Sequence, residues 1–135
     1  NQKFYKIINF PKIKFIHVGV NPENEFYNGR NQILNKTSPS IPLEIKFKDE
    51  IKPRYNYQIK NPFETENLVN TFDSGSIAMV KRGKNNSSST EFFFVTNSIP
   101  ELDGRYSIFG KIINGIGVLK KIKKEDFIKE ISIAN

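Results

Sequence analysis

Phe92-Phe93-Phe94 constrains this chain more than any other stretch. Consecutive aromatic side chains favour an extended strand. Along a strand, successive side chains turn to opposite faces, so Phe93 is parted from Phe92 and Phe94. A polar segment, Ser87-Ser88-Ser89-Thr90-Glu91, precedes the run. After it come a tight turn at Leu102-Asp103-Gly104-Arg105-Tyr106 and a second apolar strand at 108–112. The chain has no cysteine, so this strand–turn–strand unit serves neither a disulfide framework, a thiol nucleophile nor a thiolate metal site.

The length of 135 residues suits one domain, 1–135, with one modest core. The net charge is +7, but the lysines are scattered. Their densest run, Lys120-Lys121-Ile122-Lys123-Lys124, leads at once into Glu125-Asp126. That pattern argues against a nucleic-acid partner, which needs a concentrated basic patch. No apolar run reaches the ~18 residues of a membrane span, and no signal or transit segment stands at the start. Asn1, not Met, leads straight into a strand pattern, which reads as a piece of a longer precursor. The one histidine, His17, has no metal-ligand spacing around it and reads as a strand residue.

Helical periodicity is nearly missing. Short β patterns stand at 4–8, 14–18, 77–80, 92–96, 108–112 and 128–133. Leu43-Glu44-Ile45-Lys46-Phe47 alternates apolar and polar and predicts a half-buried strand. Residues 21–40 are rich in turn formers and predict a loop. Residues 48–74, broken by Pro53 and Pro62, predict a second irregular stretch. The one helix candidate is 115–124, with Val118, Leu119 and Ile122 on one face and cations at its C-terminal end. The sum is a mostly β domain, a closed barrel or a sandwich.

The string GSIAMVKRGKNNSSSTEFFFV (75–95), followed by LDGRYSIFGKI (102–112), resembles the cyclophilins, the β-barrel peptidyl-prolyl cis-trans isomerases. Lys129-Glu130-Ile131-Ser132-Ile133-Ala134-Asn135 resembles their closing strand. Ile41-Pro42-Leu43-Glu44-Ile45, the position of Phe4-Tyr5 well ahead of Phe15-Ile16-His17-Val18-Gly19, and Leu102-Asp103-Gly104-Arg105-Tyr106 resemble the plastid, thylakoid-lumen branch in particular. The resemblance implies an antiparallel β-barrel with one short helix, the N-terminal strands and first helix of the family being missing from this chain. It implies a plastid or relict plastid location, the alternative being cytoplasmic.

The same resemblance assigns roles. Phe15 and Phe93 match the two pocket phenylalanines, Ile16 a neighbouring methionine, and Leu102 the rim leucine. Tyr106 replaces a frequent histidine. Lys6 falls near the catalytic arginine, keeping its charge without the planar fork of donors. Val18 falls where a glutamine orients that arginine, and Glu91 replaces a second glutamine. Glu101 stands in place of the tryptophan that binds cyclosporin. Val80-Lys81-Arg82 stands where Ala-Asn-Ala lines the groove.

Prolyl isomerisation makes and breaks no covalent bond. It must overcome the partial double-bond character of the amide, a barrier of about 18–20 kcal/mol. An apolar groove to hold the ring and a cation aimed at the amide nitrogen favour the twisted state over the planar one. The resemblance thus implies weak isomerase activity on Xaa-Pro bonds of protein clients, with no cofactor, no metal and weak or no cyclosporin binding. The alternative is a catalytically degenerate fold serving as a proline-peptide-binding chaperone or assembly factor.

Overall fold

The computed structural model describes residues 3–19, 40–81 and 86–134. Among the described residues there are eight strands: β1 (Phe4–Asn9), β2 (Lys14–Gly19), β3 (Ser40–Pro42), β4 (Glu44–Ile45), β5 (Arg54–Tyr55), β6 (Ser76–Lys81), β7 (Asn86–Val95) and β8 (Ile108–Lys111). Six belong to one antiparallel sheet of order β1-β2-β7-β6-β8, with β3 paired to the first residues of β7. The architecture is mostly β, as the alternating runs predict. No pairing joins β1 to β8 among the described residues, so the strand pairing runs as an open path from β1 to β8.

β7 is the longest strand and the middle of the sheet. β2 lies along one edge of its second half and β6 along the other. With neighbours on both edges and packing on both faces, its three phenylalanines all find cover. Phe94 joins Phe4, Ile16, Val18, Leu119 and Ile122 on one side. Phe93 joins Phe72, Ala78, Val95 and Ile99 on the other.

The helix α1 (Ile116–Lys121) lies inside the stretch read as helical and closes the first of these clusters with Leu119. Val118, expected on the same face, is exposed. At 3.6 residues per turn, adjacent positions lie about 100° apart, and one short turn and a half buries one of them. The last carbonyls of a helix lack partners within it. Here the Lys14 ammonium, reaching from β2, donates to the carbonyls of Leu119, Lys120 and Ile122.

Three sequence expectations are corrected. Residues 128–133 form no strand. Phe127 makes a single antiparallel bridge to Lys3, no described strand continues alongside, and Ile131 and Ile133 stay exposed. The stretch 48–74 is not wholly irregular: it holds β5 and a 3₁₀ turn, Pro62–Asn67. Asn61 caps that turn, its side chain accepting from Phe63 N–H while the Glu64 carboxylate accepts from Asn61 N–H, a reciprocal box with proline at the first position. The strand read at 43–47 shortens to β4. Leu43, Ile45 and Phe47 are nonetheless buried in alternation, and Phe47 bridges Leu68. The loop read at 21–40 lies outside the described residues except for Ser40.

Candidate functional site

β2 and β7 set the register of the site. His17 faces Phe93, Phe15 faces Val95 and Gly19 faces Glu91, and cross-strand partners share a face of the sheet. Phe93 is the hub of an aromatic cluster on that face. Phe72 stacks on it with centroids 5.9 Å apart, and Tyr106 meets it edge-on at 5.3 Å. Phe15 lies at 6.0 Å and the His17 imidazole stacks at 5.6 Å. Such aromatic pairs add about 0.5–1.5 kcal/mol each beyond the area they bury. Phe93 itself is only 3% exposed. It is the floor, and the half-buried Phe15, His17 and Tyr106 carry the reachable surface.

β1 adds the polar edge. Phe4 pairs with Val18 and Lys6 with His17, so Tyr5 is one residue too many, a bulge. A bulge changes the phase of alternation. Phe4 turns to the core cluster, while Tyr5 meets the His17 ring edge-on at 6.0 Å and donates its hydroxyl proton to Glu91 Oε1 at 2.8 Å. Glu91 is 1% exposed, and a carboxylate buried so deeply must be hydrogen-bonded to be tolerated. Lys6 is exposed, opposite His17. Burial, and then the Lys6 charge, hold the His17 imidazole below its ordinary pKa; Glu91 pulls weakly the other way.

The turn at Leu102-Asp103-Gly104 forms the rim. Pro100–Leu102 is a 3₁₀ turn that lays Leu102 against the aromatic cluster and leaves Glu101 exposed. Asp103 is buried, and its Oδ1 accepts from Phe72 N–H at 2.6 Å, tying the rim to the floor. Burial raises its pKa above the ordinary carboxylate value against the pull of that bond, with Asp73 and Glu101 adding to the rise. Gly104 has φ of +67°, and a Cβ there would sit 2.1 Å from Ile59 Cδ1, so any other residue would be strained and would have to displace Ile59. Val80 lies half-buried against the cluster. Lys81 donates to Gln58 Oε1 at 2.9 Å and stands 5.7 Å from the Tyr106 ring centre, its pKa lowered by burial and by Arg105. Arg82 lies outside the described residues.

The structure therefore gathers Phe15, Phe93, Leu102, Tyr106 and Val80 in one cluster and brings Lys6 and Glu91 to its edge. Ile16 and Val18 are corrections. Both are 0% exposed in the opposite cluster, with Phe4 and Phe94. Phe15 faces the site, so alternation sends Ile16 and Val18 away from it and brings His17 back. Counting two residues on from Phe15 would have found His17. Tyr5 and Phe72 had no such signal, since one depends on a bulge and the other on an irregular segment.

The fold and site define a mostly β domain that presents an aromatic face with a cation at its edge. The chain belongs to the cyclophilin-type peptidyl-prolyl cis-trans isomerase family: the model of that family, described as cyclophilin type peptidyl-prolyl cis-trans isomerase/CLD, matches residues 1–134. Peptidyl-prolyl cis-trans isomerase B of Bacillus subtilis is 33% identical over 70 residues, 52% of this chain and 48% of that protein. The Helicobacter pylori peptidyl-prolyl cis-trans isomerase is 39% identical over 70 residues, 50% of this chain and 42% of its own length. Peptidyl-prolyl cis-trans isomerase CYP7 of Saccharomyces cerevisiae is 32% identical over 76 residues, 56% of this chain and 19% of its own. The chain thus spans less than half the length of these relatives.

Proposed function

We propose that this domain binds Xaa-Pro segments of protein clients and catalyses their cis-trans isomerisation weakly. The observation that carries the reading is the convergence of Phe15, Phe93, Leu102 and Tyr106, from three separate stretches of sequence, on one aromatic cluster beside Lys6. A proline ring lies flat on such a surface. Lys6 supplies a charge for the amide nitrogen as the bond twists, but as a hydrated point charge rather than a planar fork. Losing one preorganised donor costs about 10²–10³ in rate, hence the weak turnover. Protease-coupled turnover of a proline tetrapeptide tests this. Residual activity is expected, raised by Lys6→Arg and lost in Lys6→Gln. Activity indifferent to both changes overturns the assignment of Lys6.

A second reading is a binding module that uses the face to hold proline segments as a chaperone or assembly factor. The near-complete cover of Phe93 by neighbouring rings favours it, because a filled floor leaves less room to clasp the amide. Proline-limited refolding of a test protein separates the two: a catalyst shortens the slow phase, whereas a holder changes the yield alone. Glu101, exposed and acidic, supports weak or no cyclosporin binding, which calorimetry measures. The resemblance of Ile41-Pro42-Leu43-Glu44-Ile45 to the thylakoid-lumen branch supports a plastid location. Imaging of the tagged full-length protein outside that organelle would set this aside.

A further inference from the structure

His17 lies against Phe93 at the polar edge of the aromatic face and has no part in the reading above. Its imidazole stacks on Phe93 with an interplanar angle of 23°, meets Tyr5 edge-on and is half-buried. Lys6 from β1 is its cross-strand neighbour, and Glu91 from β7 lies on the same face, held by the Tyr5 hydroxyl. These are the titratable groups that flank it from the two adjoining strands.

We propose that His17 is a positioning residue of this face and sets the pH range in which the face takes up a proline peptide, with the neutral imidazole as the form that the bound chain covers. The inference rests on the reading that this face binds proline peptides. A neutral imidazole offers a flat surface for stacking together with one N–H donor and one acceptor. Proline has no N–H of its own, so a donor beside the ring meets the carbonyl before it. An imidazolium in the same place is a second cation beside Lys6 and must keep its water. A peptide lying over His17 removes that water, which disfavours the charged form. Binding and protonation are then linked and oppose each other, whichever is measured first. The surroundings already lean this way, since burial and Lys6 together outweigh Glu91 and hold the imidazole neutral near pH 7.

The experiment is a two-dimensional NMR titration of the chain with an Ala-Ala-Pro-Phe peptide, from about pH 7.5 to 4.5. The wild-type chain, His17→Gln and His17→Phe, which keeps the stack, are compared. The expected result is a bound-state His17 pKa below the free value, and affinity falling with acid. A further lowering of one unit corresponds to about a tenfold weaker limiting affinity in acid. Both variants should bind with a flat pH profile across the same range. An unchanged His17 pKa while Phe15 and Tyr106 signals respond to peptide overturns the proposal but leaves the binding reading standing. No response from any residue of the face removes the binding reading itself, and the proposal with it. A pH dependence that persists in both variants assigns the effect to another group and also overturns it.

Discussion

On one face of β2 and β7, Ile16, Val18, Phe92 and Phe94 meet Phe4, Ile7 and Leu119. On the other, Phe15, His17, Glu91 and Phe93 meet Tyr5, Phe72 and Tyr106. The same two strands supply both faces from alternate positions. The first face buries hydrocarbon and is closed by α1, with the Lys14 ammonium at the end of that helix. The second buries a carboxylate and half-buries an imidazole and two phenols, groups that weaken a core unless each is bonded. Where sequence spends burial on polar groups, the reason is more often function than stability. The comparison thus separates positions that hold the fold from positions proposed to hold a ligand, although they are immediate neighbours in the chain.

The sharpest test pairs Phe94→Ala with Phe93→Ala. Each should cost about 3–5 kcal/mol in urea unfolding, as for other buried phenylalanines. Only Phe93→Ala should also abolish peptide binding under conditions where both variants remain folded. Equal loss of binding in both would erase the distinction between the faces. Next is the pair Val18→Gln and His17→Gln. An amide forced among Phe4, Ile16 and Phe94 has no partner there and should cost about 1–3 kcal/mol. His17→Gln, at the edge of the polar face, should leave the midpoint of chemical unfolding at pH 7 nearly unmoved. A stable Val18→Gln variant with improved turnover would restore Val18 to the site.

Acid gives a smaller effect with a defined sign. The unfolded imidazole titrates near about 6.5, and the folded one titrates lower. Between those values the unfolded chain binds a proton that the folded chain does not. Stability should therefore fall as pH drops from about 6.5 and level off below the folded pKa. His17→Gln should remove that slope in pH-dependent urea unfolding. Asp103 acts oppositely: its raised pKa means that the folded chain binds the extra proton, so stability gains as the carboxyl protonates. The smallest effect belongs to the hydrocarbon face. Lys14→Met, which withdraws the cation from the end of α1, should cost about 0.3–1 kcal/mol, read as a lowered melting temperature.

The alternation of Phe92, Phe93 and Phe94 was legible because β7 is regular over that stretch and period two holds. Gly104 was legible as part of the turn motif, and the structure gives its cause in the Ile59 side chain lying against it. The motif match puts Ile16 and Val18 at the site, whereas the phase of the strand carrying it turns both into the core. With Phe15 fixed, alternation alone excludes both. The strand read at 128–133 failed for another reason. Its isoleucines have the right propensity, but a strand exists only beside a partner, and propensity does not reveal one. The 3₁₀ turn at Pro62–Asn67 did carry a signal, Asn61-Pro62 with Glu64 three residues after the cap, but Pro53 and Pro62 read as breaks in regular structure.

The bulge at Tyr5 has a genetic consequence. Phe4 opposite Val18 and Lys6 opposite His17 already form a regular ladder, so removing Tyr5 would not rotate the rest of β1. Ile7 would still face the core and Lys6 would still face His17. The loss would include the hydroxyl that binds Glu91 and the ring that meets His17. A single codon thus carries one whole part of the polar edge, and it can be deleted in frame without touching the scaffold. Lineages of this fold could gain or shed that part in one mutational step, independently of the cation beside it.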